Sequence, residues 1–477
     1  MGEGPDLDRC AGVLVGLATG DALGAGYEFR RPPVGLAEMI GGGLGPWEPG
    51  EWTDDTQMAL CIAEEAATGK LDPLAVAGRF LGWYRGHPKD VGIQTSAVLG
   101  ASQTPADVRS RAEERFERYP RNSAGNGSLM RTAPVALSAL GDDDRLVSLA
   151  TEVSRLTHGD PLAMEACVLW CIAINRAVRQ GRLDGVYDGI GLLPAERQDF
   201  WRARVAEAHE GPPGRFAPNG FVVTAFQAAL SAIWHTPVPK DQPCRHFADA
   251  LQVAVRIGDD TDTVAAIAGS VLGARWGATA VPVAWRVRLH GWPGYRGADL
   301  VRLAVMASTA GVADGAGWPA ADDLTSYYRQ HWPAGPVAEP LEDDSGVVVA
   351  NIFGASAAAA DVMVSLCRVG RDVPVAVERV EVALLDSDDP TANPNLDFVL
   401  SDLAAGIAAW RDQGKSVLIH CVQAERRTPA VAAAYLAHRL GVSGAEAWAR
   451  VHRQLPASRR NSAFAAALDR LWPQERG

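Results

Sequence analysis

Two stretches of this chain crowd carboxylates and hydroxyls where helices should begin: Thr53-Asp54-Asp55-Thr56, and Asp259-Asp260-Thr261-Asp262-Thr263 about two hundred residues later. A helix N-terminus offers unpaired N–H groups and a positive dipole end, so one acid there is an ordinary cap. Three acids side by side repel one another. The apolar run Val264–Trp276 that follows argues against a fully solvated surface, so a cation is needed to balance them. Asp54, Asp55, Asp260 and Asp262, with Thr53 and Thr263, offer only oxygen donors. That set suits Mg²⁺ or Mn²⁺ rather than zinc, which takes His or Cys. If the two stretches converge, their charge exceeds what one ion needs, and two ions about 3.5–4 Å apart are expected. For Thr53-Asp54-Asp55 taken alone, capping explains the residues as well as ligation does.

A second set of reactive residues lies far downstream. His420-Cys421-Val422-Gln423-Ala424-Glu425-Arg426-Arg427-Thr428 puts a cysteine after an apolar strand and before a helix, with arginine six residues on. Such a loop aims several N–H groups and a helix dipole at one point, which lowers a thiol pKa and binds a phosphate dianion. Arginine at that spacing clamps two phosphoryl oxygens. Cys421 would attack phosphorus, and Thr428 would assist release of the thiol-phosphate.

The elements that must carry these residues read as two textures. A helix over residues 7–18 should end in the glycines of Gly20-Asp21-Ala22-Leu23-Gly24. Thr53 opens another that stops near Gly69. Asp72-Pro73 and Asp160-Pro161 set caps with proline at the first helical position, the second for a helix that runs to Gly181. Further helices are expected at about 221–235, 245–257, 264–277 and 299–311, with no convincing strand before residue 340. Three prolines and a short acidic run in Trp332–Gly346 read as a linker. Beyond it, strands at 347–350, 362–366, 380–385 and 416–420 alternate with helices at about 396–413 and 428–440, and Ser443 with Glu446 opens another. The expected architecture is therefore multidomain: an all-α domain over 1–331, a linker over 332–346 and a small α/β domain over 347–477.

The 477 residues exceed what one core usually supports, and the net charge of −12 disfavours a nucleic-acid partner. Seven cysteines, odd in number and mostly in apolar helical contexts, suit a reducing compartment. Cys167 and Cys171, one helical turn apart, read as buried thiols and not as half of a metal clip. The N-terminus lacks the basic and apolar regions of a signal peptide, and no uninterrupted apolar run approaches the length of a membrane span, so a cytoplasmic setting without membrane contact is expected.

The first texture resembles the ADP-ribosylglycohydrolase family, which includes dinitrogenase reductase-activating glycohydrolase and ADP-ribosylarginine hydrolases. The matching pieces are Gly20-Asp21-Ala22-Leu23-Gly24 with Glu28, Thr53–Thr56, Ser123–Arg131, Thr157-His158-Gly159-Asp160-Pro161 and Asp260–Thr263, in family order over roughly residues 10–310. The resemblance implies an all-α domain in which Thr53, Asp54, Asp55, Asp260, Asp262 and Thr263 hold two Mg²⁺ or Mn²⁺ ions against the distal ribose of an ADP-ribosylated substrate, most simply a protein. The glycosidic bond would break with oxocarbenium character. Glu28 corresponds to a mobile family glutamate that gates the site or transfers a proton. Gly125, Asn126, Gly127 and Ser128 would bring backbone N–H groups to the diphosphate, with His158 nearby. Asp259 falls outside the matched pattern and reads as a cap or supporting residue.

The second texture resembles protein tyrosine and dual-specificity phosphatases, whose Cys-x5-Arg signature it carries over about residues 346–474. Spacing selects Arg427 over Arg426. Asp386 lies where such enzymes keep their general acid, with Asp388 and Asp389 close enough to compete for the role. One departure stands out: Ala424 replaces the usual glycine, and Glu425 adds negative charge to a loop meant for an anion. The expected function is a metal-dependent ADP-ribosyl hydrolase joined to a cysteine-dependent phosphatase acting on a phosphorylated substrate. The alternative is a non-hydrolytic ADP-ribose reader with a phosphate-binding second module.

Overall fold

The computed structural model describes residues 6–371 and 378–474. They form two compact units, one built from the chain up to Val281 plus Arg288–Val312, the other from Pro282–Val287 plus Ala313 onward.

The first unit is mostly helical. Four helices position its chemistry: α1 (Leu7–Gly24), α2 (Asp54–Ala66), α3 (Pro161–Gln180) and α4 (Thr261–Trp276). The cap signals act as expected. Asp160 accepts from Leu162 N–H at the start of α3, which stops at Gly181 in the left-handed region. The first helix, α1, ends in the expected glycines, running through Gly20 to the last of them, Gly24. The reason is packing. A Cβ on Gly12, Gly16 or Gly20 would lie 2.1, 2.2 or 2.0 Å from the carbonyl oxygens of Gly273, Gly269 and Ala265, and one on Gly24 would lie 2.5 Å from Asp262 Cα. The glycines form a bare stripe on which α4 lies backbone against backbone. Each costs about 1 kcal/mol of helix propensity relative to alanine, but any side chain there would force the helices apart. The result is that the C-terminus of α1 lies against the first turn of α4.

Two segments, Leu7–Tyr27 and Pro161–Gln180, are long and apolar enough to cross a membrane by length and composition, although charged residues interrupt both. Both are mostly buried inside the fold, 94% and 72% of the apolar window respectively, because they pack on several sides at once. Trp170 of α3 illustrates this, donating to Ile267 O and Ser270 Oγ of α4. Charged helices at Pro105–Arg118, Asp143–Arg155 and Ala195–Glu210 carry too few apolar residues to have stood out in the sequence. A two-residue hairpin, His290–Gly291 with Tyr295–Arg296, is too short to leave an alternating pattern.

The second unit holds a five-stranded sheet. Its strands are β1 (Ala338–Leu341), β2 (Asp344–Asn351), β3 (Val362–Ser365), β4 (Glu378–Glu381) and β5 (Val417–Cys421), in the order β1-β2-β5-β3-β4. Only the edge pair β1/β2 is antiparallel. The expected linker over 332–346 is thus partly strand. Pro340 reads as a breaker in sequence but sits on an edge strand, where no second ladder needs its N–H. Residues 313–331 also pack in this unit, with Tyr328 donating to Arg368 O and Arg368 pairing with Asp314. The fully buried central strand β5 ends at Cys421 and leads through a short loop into α5 (Arg427–Leu440). That is the carboxyl edge of a parallel sheet, where α/β folds bind ligands.

Candidate functional site

In the first unit the two acid-bearing turns meet. Thr53 caps α2, with Asp54 and Asp55 in its first turn; Asp260 precedes α4, with Asp262 in its first turn. Thr263 Oγ1 donates to Asp55 Oδ1 at 3.3 Å, joining residues 208 positions apart. Ligand atoms of Glu28, Asp260 and Asp262 all lie within 4.8 Å of one another, and the three residues are buried. Glu28 follows the short helical turn after α1, so the glycine stripe brings it to Asp262. Asp259 takes φ +59°, a region aspartate tolerates, and its carbonyl accepts from Phe29 N–H, fixing the chain beside Glu28.

Burial and mutual repulsion dominate the electrostatics. Asp54 is pushed up to about 8 by burial and then by Asp90 and Asp21, and Glu28 to about 8 by burial and then by Asp260, Asp90 and Asp54. Asp55 and Asp262 are raised well above the carboxylate range for the same reasons, and Asp260 is raised. Asp55 Oδ2 is buried and has no hydrogen-bond partner among the described residues. An orphaned carboxylate oxygen among converging acids fits a hard divalent cation.

A pH dependence follows for the metal-free protein. Asp54 and Glu28 titrate near 8 when folded and near 4 when unfolded, and Asp55, Asp260 and Asp262 are raised in the same direction, so the unfolded chain releases their protons first. The stability they contribute is full below about pH 4 and is lost as the pH rises towards 8. Chelator-treated protein should therefore melt several degrees lower at about pH 8 than at about pH 5.5, and Mg²⁺ or Mn²⁺, binding only the folded state, should recover the loss. A melting temperature indifferent to both ions at the higher pH would remove the case for a cation site.

The glycine loop departs from expectation. Asn126 N–H is already donated to Gly220 O, so it is not free for an anion. Its side chain instead donates to Asp260 Oδ2 at 2.7 Å and to Asn219 O at 3.1 Å. The Ser128 hydroxyl is buried and accepts from Ser154 Oγ and Cys167 Sγ. Gly125 and Gly127 lie against the ring of His158, which is buried and held neutral by desolvation first and the Arg131 charge second.

In the second unit, Cys421 ends β5, and Arg427 at the start of α5 approaches Asp386. Arg427 donates through Nη1 to Leu366 O and Leu384 O, both at 3.1 Å, which pins the guanidinium. Its Nε makes no hydrogen bond among the described residues and lies 3.8 Å from Asp386. Asp388 is tied to Ser462 N and Oγ, and Asp389 caps its own turn at Thr391, leaving Asp386 as the acid that faces Arg427. The fourth strand ends at Glu381, not Leu385. Asn393 replaces the ladder by bonding both the N–H and C=O of Leu385, which holds the Asp386 segment out of the sheet. The Thr428 hydroxyl makes one long contact, 3.5 Å to Ala350 O. Glu425 pairs with Arg459 at 3.5 Å. Ala424 adopts φ +58°, the left-handed region that a side chain disfavours by about 1–2 kcal/mol. Ala424→Gly should therefore relieve that strain and raise stability by up to about 1 kcal/mol, read as a shift in urea midpoint. A lower midpoint would contradict it.

Comparison with known proteins follows the same division. The ADP-ribosylglycohydrolase family model matches residues 3–316. The chain belongs to the ADP-ribosylglycohydrolase family. It is 30% identical over 297 residues to ADP-ribosylarginine hydrolase Tri1 of Serratia proteamaculans (strain 568), covering 60% of this chain and 76% of that protein. It is 29% identical over 300 residues to ADP-ribosyl-(dinitrogen reductase) glycohydrolase of Rhodospirillum rubrum, covering 60% and 92%. A solved structure of human DUSP28 is 25% identical and covers 29% of this chain and 97% of its own, with a TM-score of 0.25. At that score it carries no weight, and the second unit is read from its own residues.

Within this ADP-ribosylglycohydrolase, supporting residues around the acids were not legible in the sequence. Asp21, fully buried, accepts from Thr53 N, Thr56 N and Thr56 Oγ1, and so holds the start of α2 against α1. Asn219 accepts from Asp260 N and donates to Gly258 O, fixing the turn that presents the acids. Asp90 adds repulsion to Glu28 and Asp54. Only Asp21 left a signal, by lying in a recognisable motif. Asn219-Gly220 reads as an ordinary turn.

Proposed function

We propose that the first unit hydrolyses the glycosidic bond between ADP-ribose and an acceptor on a protein, ADP-ribosylarginine foremost. In this reading Mg²⁺ or Mn²⁺, two ions, are held by Thr53, Asp54, Asp55, Asp260, Asp262 and Thr263. The observation that carries it is the convergence of Glu28, Asp260 and Asp262 with Asp55 at the heads of two helices. A relative named as an ADP-ribosylarginine hydrolase supports the choice of linkage. Bound cations supply Lewis acidity towards the ribose hydroxyls and the charge that develops there. The chain's own residues do the rest. Asn126 and Asn219 hold the Asp260 turn, and Asp21 holds the Asp54 turn. Glu28, grouped with Asp260 and Asp262, is placed to exchange a proton with the departing acceptor. His158, with the backbone at Gly125 and Gly127 beside it, receives the diphosphate, while Asn126 supports Asp260. The test is release of ADP-ribose from ADP-ribosylated arginine in Mg²⁺ or Mn²⁺. Absence of release from any linkage overturns the reading.

For the second unit we infer a cysteine-dependent phosphatase acting on a phosphorylated substrate. Cys421 attacks phosphorus, Arg427 holds the phosphoryl oxygens, Asp386 protonates the leaving oxygen, and Thr428 assists release of the thiol-phosphate. The approach of Asp386 to Arg427 at the end of β5 supports it. Phosphate binding without turnover is the competing reading, favoured by Glu425 in the loop, and hydrolysis of p-nitrophenyl phosphate decides between them. The seven cysteines, buried and outside any disulfide among the described residues, suit a reducing, cytoplasmic setting.

A further inference from the structure

We propose that Arg131, acting through Thr157, fixes His158 as the neutral tautomer with its hydrogen on Nε2, making it a dedicated donor to an anionic ligand oxygen at Gly125 and Gly127. The ligand half of this rests on the hydrolase reading; the tautomer does not.

Arg131 is fully buried yet, among the described residues, forms no ion pair with a carboxylate. Nη1 donates to Met58 Sδ at 3.2 Å, Nη2 donates to Thr157 Oγ1 at 2.5 Å, and the guanidinium lies 4.4 Å over the Phe80 ring. A guanidinium donates and never accepts, so the Thr157 oxygen must spend a lone pair on it. The same oxygen lies 2.8 Å from His158 Nδ1. Thr157 is itself fully buried, and among the described residues its hydroxyl has these two partners alone. The hydroxyl hydrogen needs an acceptor that Arg131 cannot be. Only a bare Nδ1 serves, which places the ring hydrogen on Nε2. Were Nδ1 protonated, a hydroxyl hydrogen would be buried with nothing to receive it.

The ring's other edge faces the glycine loop. A Cβ on Gly127 would lie 3.2 Å from Nε2 and 3.1 Å from Cε1, and one on Gly125 would lie 3.6 Å from Nε2. Among the described residues Nε2 has no hydrogen-bond partner, although His158 is only 1% exposed. The glycines leave that edge uncovered, and a fixed N–H there accepts no hydrogen itself. It therefore selects for an acceptor oxygen, as on a diphosphate, and against a donor group. Arg131 acts as a positioning residue, since it touches His158 only through Thr157.

The test is long-range ¹H–¹⁵N correlation on the full chain labelled at histidine, with the His158 signals assigned by their loss in His158→Gln. The expected pattern at neutral pH is a protonated Nε2 and a bare, hydrogen-bonded Nδ1. Thr157→Val should move Nδ1 to the position of a bare nitrogen without a hydrogen bond, whereas Thr157→Ser should leave it in place. Arg131→Met, which frees the hydroxyl to turn, should add Nδ1-protonated or doubly protonated forms and weaken ADP-ribose binding roughly tenfold. Arg131→Lys, which keeps a donor, should stay within about twofold of wild type in binding and retain the pattern. A protonated Nδ1 in the wild type overturns the proposal without any variant having to fold, and so does an Nδ1 signal indifferent to Thr157→Val. Failure of the wild type to bind ADP-ribose with the Nε2–H pattern intact overturns the hydrolase reading and the ligand half, while the tautomer assignment stands.

Discussion

Replacing Asp260 and Asp262 together by alanine should lower kcat/KM for ADP-ribose release at least about a thousandfold, equivalent to some 4 kcal/mol of transition-state stabilisation. Both residues belong to the group with Glu28, and both repel Asp55 of the other acid pair. Their loss takes two ligands from any cation and leaves the Asn126 side chain without its 2.7 Å acceptor. A folding defect can be told apart from a catalytic one, because the acids are held raised by burial and by each other. Removing two of them relieves repulsion, so the metal-free double variant should melt no lower than wild type at about pH 8, and Mg²⁺ or Mn²⁺ should no longer raise its melting temperature appreciably. Release undiminished in the double variant would overturn the assignment of these residues.

Cys421→Ser should abolish hydrolysis of p-nitrophenyl phosphate, a loss of about 10⁴-fold or more, because a serine hydroxyl in that loop has no base to activate it. Binding of the phosphate dianion should survive, since Arg427 is held by Leu366 O and Leu384 O independently of the sulfur. ADP-ribose release should be unchanged, since the acids that carry it lie in the other unit. Asp386→Asn should cost about 10²–10³-fold in rate, and Asp388→Asn much less, because Asp388 is engaged with Ser462 and Arg426. Equal silence of wild type and Cys421→Ser would reduce the unit to a phosphate-binding module.

Much of the chemistry was legible before any fold. Oxygen-only donors at two helix starts, the caps Asp72 and Asp160, and the Cys421–Arg427 spacing each express a local rule about which groups satisfy a helix end or bind an anion. Reading failed where a residue's meaning depends on something far away in sequence. The glycines of α1 are poor helix formers by propensity, and only the backbone of α4 lying 2.0–2.5 Å from where a Cβ would sit explains why the helix continues. Pro340 breaks an interior strand but not an edge, and edge status belongs to the sheet. Asn126 resembles a free loop N–H until Gly220 takes that N–H and Asp260 takes the side chain. Three aspartates near residue 387 are equivalent by spacing, and their separate partners distinguish them.

The sequence by itself therefore determined which reactive groups this protein carries: oxygen-only donors suited to a hard cation in one part, and a thiol with an arginine six residues on in the other. Tertiary structure alone decided which atoms meet. Ligand type follows from a side chain's own chemistry, whereas the 4.8 Å grouping of Glu28, Asp260 and Asp262 follows from the close approach of α1 and α4, which is a property of the packed pair.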